Sequence, residues 1–391
     1  MLALKLLAVA CVAAPLAVIV VRCCAAEGQS RPAGGMPALK DVYKDDFLVG
    51  VAIDVNVADG RDEQTAELVV RQFNSVTAEN HMKWDLLRRA DGGFSFKDAD
   101  AIVEFAERGG MAVIGHTLVW HQMTPERVFQ GPDGQPASRE VLLERLAEHI
   151  RTVVGRYRGR IRGWDVVNEA VAQSGTEALR DSPWRRILGD DYVEQAFRLA
   201  AEADPSCELY YNDYGLADPA KRDKTVRLIR RLQAAGIRVH AVGMQGHWKL
   251  AEPPLEEIER SIETFAGLGV KVNITELDIS LFTKQQKDNR YADGVPAEVL
   301  ARQAARYAAV FEIFRRHRDV IERVTFWNPT DRHTWLNHFP VKGRADHPLL
   351  FDRAGQAKPA FWAVVDPAGF LADPAHRAML TSDVGAGASE W

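Results

Sequence analysis

From residue 46 onward, short apolar runs alternate with longer amphipathic ones. Eight stretches, at 47–53, 75–79, 112–120, 163–168, 208–212, 240–245, 271–276 and 321–327, have strand length and apolar or alternating character. Between them, apolar residues recur three and four apart. Leu142, Leu146, Ile150 and Val153 make one helical face. Leu255, Ile258, Ile262 and Phe265 make another, which opens on Pro253 and Pro254, where a missing amide donor matters least. Gly109-Gly110, Gly236 and Gly269 stand where helices would stop. Strand–helix alternation predicts a parallel sheet. Eight such units in about 330 residues predict an α/β fold with one closed (β/α)8 TIM barrel. An open doubly wound sheet would carry a glycine-rich phosphate loop after a strand. Neither GxGxxG nor a P-loop lysine motif is present.

The 391 residues are 47% hydrophobic and 26% charged, which is enough apolar residue for a large core. A formal net charge of −5 argues against nucleic acid as a partner. Residues 1–26 differ from the rest. Lys5 precedes an apolar run from Leu6 to Val21, and Ala25 and Ala26 follow. This pattern predicts a cleaved signal peptide, hence a secreted or periplasmic protein with no stable membrane association. An uncleaved anchor is the competing reading, because Arg22 interrupts the run before the small residues. Cleavage would remove Lys5 and Arg22 and no acid, taking the charge from −5 to −7. Three of the four cysteines would leave with the leader, and Cys207 would have no partner. Residues 27–39 read as a linker, 40–370 as the catalytic domain and 371–391 as a peripheral tail. The basic stretch 221–231 reads as a solvated helix face. A charged surface without a spare apolar stripe favours a monomer.

Chemistry gathers at the strand ends, which in a barrel form the active-site face. Glu79, Asn80, His81 and Lys83 follow the second strand, and His116, Trp120 and His121 belong to the third. Asn168 and Glu169 end the fourth, and Asn212, Asp213 and Tyr214 the fifth. Gln245 and His247 end the sixth, Glu276 and Asp278 the seventh, and Trp327 with Trp335 the eighth. Six of the nine tryptophans fall in or beside these motifs, which scattered core tryptophans would not do. Flat rings among amides and carboxylates suit a sugar. A glutamate at the end of a buried strand is costly unless it is hydrogen-bonded or working. Glu169 and Glu276, 107 residues apart, are therefore a candidate catalytic pair for glycoside hydrolysis. Taken singly, each has a plainer reading: a salt-bridge partner for a glutamate, packing for Trp120 or Trp327, a satisfied core residue for His116 or His121. No HxH or HExxH motif suggests a metal, and no cofactor is expected. The sequon at Asn273 falls inside a buried strand and is discounted.

The runs VTAENHMKW (76–84), GHTLVWH (115–121), WDVVNEA (164–170), GMQGHW (243–248), ITELDI (274–279) and FWNPTDRHTWL (326–336) resemble glycoside hydrolase family 10, the endo-β-1,4-xylanases. The resemblance implies a retaining enzyme acting on xylan and xylo-oligosaccharides, with Glu169 as acid/base and Glu276 as nucleophile. It implies that Asn168 bonds the sugar 2-hydroxyl, that His247, held by Asp278, orients Glu276, and that Gln245, on the same strand end, contacts substrate. Glu79, Asn80, Lys83 and His116 would bind glycone sugars. Trp120, Trp327 and Trp335 would wall the subsite, and Asn212 or Tyr214 would border the aglycone side. Gly246, Asn328-Pro329 and His81 depart from the commoner pattern and touch neither glutamate. A β-1,4-glucanase or an oligosaccharide-restricted hydrolase is the alternative within the class. A xylan-binding barrel without catalysis would have lost one of these residues. A metal-dependent barrel hydrolase would lose activity to a chelator.

Overall fold

The computed structural model describes residues 35–381. Eight parallel strands are laid down in chain order: β1 Leu48–Ile53, β2 Ser75–Ala78, β3 Ala112–Val119, β4 Gly163–Asn168, β5 Glu208–Asp213, β6 Ala241–Met244, β7 Lys271–Ser280 and β8 Ile321–Phe326. Each pairs with the next. The ring closes through β1 against β8, with Leu48 opposite Arg323, and β6 joins β7 with Ala241 opposite Lys271. This is the closed (β/α)8 barrel expected from the alternation.

A helix of the outer layer follows each strand: α1 Glu63–Gln72, α2 Lys97–Arg108, α3 Arg139–Arg156, α4 Tyr192–Ala203, α5 Pro219–Ala234, α6 Leu255–Ala266, α7 Ala297–Arg316 and the shorter α8 Pro359–Val365. Their starts are chemically marked. Asp62 caps α1 by accepting from the Thr65 amide, and Ser138 caps α3 by accepting from Val141. Asp218 caps α5, with Pro219 in the first turn. Leu142, Leu146, Ile150 and Val153 of α3 are fully buried, as are Ile258, Ile262 and Phe265 of α6; Leu255 is only half-buried. The main core lies between the ring of strands and this outer layer.

Two glycines make room for larger groups beside them. A Cβ on Gly115 would lie 2.1 Å from the Trp164 ring, and one on Gly243 would lie 2.4 Å from Asn212 Oδ1. A third, Gly246, adopts φ +85°, where L side chains are strained. It breaks the sixth strand, so that the chain re-pairs at His247–Lys249, with His247 opposite Asp278. That second pairing is why β7 runs to Ser280, four residues past its expected end.

One expectation needs correction. The stretch 221–231 is not wholly a solvated face, because Lys221, Arg222 and Lys224 are buried. Lys221 Nζ meets Asp213 Oδ1 at 2.7 Å and Arg222 meets Glu257 at 2.9 Å. Lys224 donates to the carbonyls of Ala172, Ser174 and Gly175. Of its basic residues, only Arg227, Arg230 and Arg231 face solvent. Short helices at Pro367–Ala372 and Pro374–Ala378, capped by Asp366 and Asp373, reach into the stretch read as a tail. The expected leader at 1–26, residues 27–34 and residues 382–391 lie outside the described residues. Among the described residues, no helix is long and apolar enough to cross a membrane, and Cys207 is a free, buried thiol.

Candidate active site

The end of β4 delivers Asn168 and then turns sharply at Glu169, whose φ is +58°. A non-glycine residue holds that backbone only when its surroundings dictate it, at a cost of about 1–3 kcal/mol. Here both flanking groups are tied. The Glu169 amide donates to the Asn212 carbonyl at 2.8 Å, and the Glu169 carbonyl accepts from Arg180 Nε at 3.0 Å. The turn leaves Glu169 8% exposed. Its Oε1 accepts from Gln245 Nε2 at 3.0 Å and, more weakly, from Asn168 Nδ2 at 3.5 Å.

Glu276 lies within β7 and is also buried. Its Oε1 accepts from Asn212 Nδ2 at 2.8 Å, and its Oε2 faces His247 Nε2 at 3.1 Å. The other ring nitrogen, His247 Nδ1, lies 2.8 Å from Asp278 Oδ2, which also accepts from Trp335 Nε1 at 2.9 Å. Burial works against a charge on His247. The two carboxylates outweigh it, Asp278 most, and push its pKa up to about 10. Burial likewise works to raise Glu276. The hydrogen bond from His247 and the nearby charges of His116, His247 and Lys83 outweigh it and hold this carboxyl below its ordinary range. Glu276 is thus an ionised carboxylate matched to an imidazolium.

The two glutamates share one hydrogen-bond relay. Asn168 Oδ1 accepts from Asn212 Nδ2 at 3.0 Å and from Gln245 Nε2 at 3.3 Å. Those same amides reach Glu276 and Glu169 respectively. Thr275 Oγ1 fixes the Asn212 amide by donating to its Oδ1 at 2.6 Å. The arrangement changes the place of two residues expected to touch sugar. Asn212 is wholly buried and its amide is engaged within the protein, so it braces Glu276 rather than bordering the aglycone side. Gln245, 3% exposed, braces Glu169.

The proposed glycone residues gather on the neighbouring sector. Glu79 Oε2 accepts from Asn328 Nδ2 at 2.9 Å, and Lys83 Nζ donates to Asn80 Oδ1 at 2.9 Å. The same ammonium stands 4.8 Å from the Trp120 ring and 5.8 Å from Trp327. Burial pushes Glu79 up and Lys83 down, while Glu276, Glu79 and Glu169 pull Lys83 back towards its charged form. His116 is oriented by Asp165 at 2.8 Å and meets the Trp327 ring edge-on at 5.3 Å. Trp335 packs against His247 at 4.9 Å. On the other flank, the part-exposed Tyr214 accepts from Arg180, and Lys221 Nζ sits 3.5 Å from its ring.

Asp165, Arg180, Thr275 and Asn328 carry this geometry and were absent from the sequence-derived site. Alternation counted from Asn168 or Glu276 skips Asp165 and Thr275, because the pairing shifts register between Asp165 and Val167 and between Ile274 and Leu277. Arg180 lies on a loop with no periodic signal. Among the described residues, two Glu/Glu/His groups have metal-compatible spacing, and neither includes a residue of this site.

A model of glycosyl hydrolase family 10 matches residues 38–367. An endo-1,4-beta-xylanase of Geobacillus stearothermophilus is 48% identical over 334 residues, covering 85% of this chain and 98% of that protein. A thermostable celloxylanase of Thermoclostridium stercorarium is 42% identical, covering 85% and 88%. Among solved structures, xylanase XynB from Paenibacillus barcinonensis, complexed with a conduramine derivative, superposes with a TM-score of 0.82. It is 42% identical, and the match covers 85% of this chain and 99% of that one.

Proposed function

The chain belongs to glycosyl hydrolase family 10, and from that premise we propose that it is an endo-1,4-β-xylanase whose retaining mechanism runs through Glu169 and Glu276. Glu169 gives its proton to the glycosidic oxygen while Glu276 attacks the anomeric carbon. The C–O bond breaks and a glycosyl ester forms. Glu169, now a carboxylate, takes a proton from water, which attacks the same carbon and releases the ester with the β configuration restored. Double displacement of this kind uses carboxyls about 5–5.5 Å apart.

The observation that carries the reading is the shared relay through Asn168, which holds both carboxyls on one group, with Glu276 kept ionised by His247. Glu79, Asn80, Lys83 and His116 are proposed as glycone contacts. Trp120, Trp327 and Trp335 are proposed as walls and Tyr214 as the aglycone border. The test is the anomer released early from xylan, together with two variants. Wild type should release the β form. Glu276→Ala should release no sugar. Glu169→Ala should keep activity on an aryl glycoside whose leaving group needs no proton, with azide restoring the second step. An α product, or turnover by Glu276→Ala, refutes the assignment.

A second reading adds β-1,4-glucan as a substrate, and the celloxylanase among the relatives is the observation in its favour. Equal rates on xylan and carboxymethyl-cellulose would establish it. Export with removal of residues 1–26 is proposed from the N-terminal sequence; the first residue of the mature chain tests it. A monomer in solution is proposed as well, and light scattering tests that.

A further inference from the structure

Phe339 is the most exposed large apolar side chain among the described residues, at 61%. An aromatic ring left in water contributes little to the core, yet this one is not loose. It lies parallel to the Trp335 indole, with centroids 5.6 Å apart and planes 15° from each other. Trp335 has two further restraints: its Nε1 donates to Asp278, and its ring packs against His247 at 4.9 Å. It stands on a single 3-10 turn, Trp335–Asn337, in the long loop after β8. An edge hydrogen bond and a tilted contact with His247 still let an indole rock. A parallel ring against one of its faces does not.

We infer that Phe339 is a specificity-determining positioning residue: by bracing Trp335 beside His247, it holds the indole where it crowds a C6 hydroxymethyl, and so sets the preference for xylose- over glucose-configured chains. This rests on the proposed reading of Trp335 as a wall of the cleavage subsite. A pocket discriminates one carbon's worth of substrate by about 10- to 200-fold when its wall is rigid. A wall free to tilt discriminates less.

The test compares kcat/KM for an aryl β-xylobioside and an aryl β-cellobioside. In Phe339→Ala the xylo-to-gluco ratio should fall by about two- to tenfold, the size one aromatic pair can contribute. Phe339→Tyr, which keeps the flat ring, should retain the wild-type ratio. Phe339→Leu should fall between, and it stands in for alanine if that variant does not fold. A purely structural role would lower both substrates equally. An unchanged ratio in the alanine and leucine variants overturns the inference. If the wild type itself shows no xyloside preference, the proposed substrate reading is what fails.

Discussion

Asn168 illustrates how much one side chain does here. Its Oδ1 is the point where the amides serving the two glutamates meet, so its position fixes the separation of the carboxyls. His247 settles their charge. Replacing it with glutamine removes the main influence holding Glu276 down, and burial then dominates. We predict that His247→Gln moves the acidic limb of the kcat/KM profile to higher pH and lowers its plateau, as a pH–rate series will show. Stability follows the same group. Because folding raises the His247 pKa from 6.5 to about 10, its contribution is complete below 6.5 while its carboxylate partners stay ionised. It is lost as pH climbs towards 10. The gap in denaturation midpoint between wild type and His247→Gln should narrow over that window. Glu169, Glu276, Asn168 and His247 were legible from the sequence because buried strands do not end in polar groups without cause. The roles of Asn212 and Gln245 were not. Sequence shows that an amide lies at a strand end, not whether it faces a ligand or a carboxylate.

Among the elements, the strands were the most legible. Short apolar runs bounded by glycines and helical periodicities put all eight in place, mostly within a residue or two. The end of β7 was missed because its last four residues pair with His247–Lys249, a strand fragment created by the turn at Gly246. Helix α5 was misread for a related reason. Lys221 and Arg222 look like surface residues until Asp213 and Glu257, from other elements, are brought against them. The packing of β5 on β6 makes a sharper claim. Gly243 leaves room for the Asn212 amide, and a methyl group there would meet Oδ1 at 2.4 Å and Thr275 Cγ2 at 2.8 Å. Gly243→Ala should therefore push Asn212 off Glu276. The expected result is a fall in kcat of at least about tenfold, since misplacement of about 1 Å in such a site can cost 100-fold, with KM little changed. Steady-state kinetics on a soluble xylo-oligosaccharide will show it.

The barrel as a whole is a ring whose outer layer supports the chemistry through buried charge. Lys221 of α5 and Asp213 of β5 are both fully buried, 2.7 Å apart. Asp213 Oδ2 also accepts from Tyr211 at 2.5 Å and from the Val171 amide at 3.3 Å, in the loop that follows Glu169. Removing one partner strands a buried charge. Lys221→Met should destabilise the fold by about 3–5 kcal/mol, and adding Asp213→Leu should recover part of that. Urea unfolding of the single and double variants measures both. Such pairing across elements is the part of the fold that a single chain does not disclose, because the partner's identity depends on barrel closure.

The left-handed backbone at Glu169 bears on how this molecule could be improved. The conformation that aims its carboxyl is one that glycine would adopt without protest, so the working residue is a burden on its own scaffold. Selection for heat survival alone would therefore favour chains that have surrendered that side chain. Any programme seeking a hardier catalyst must screen for turnover in the same round.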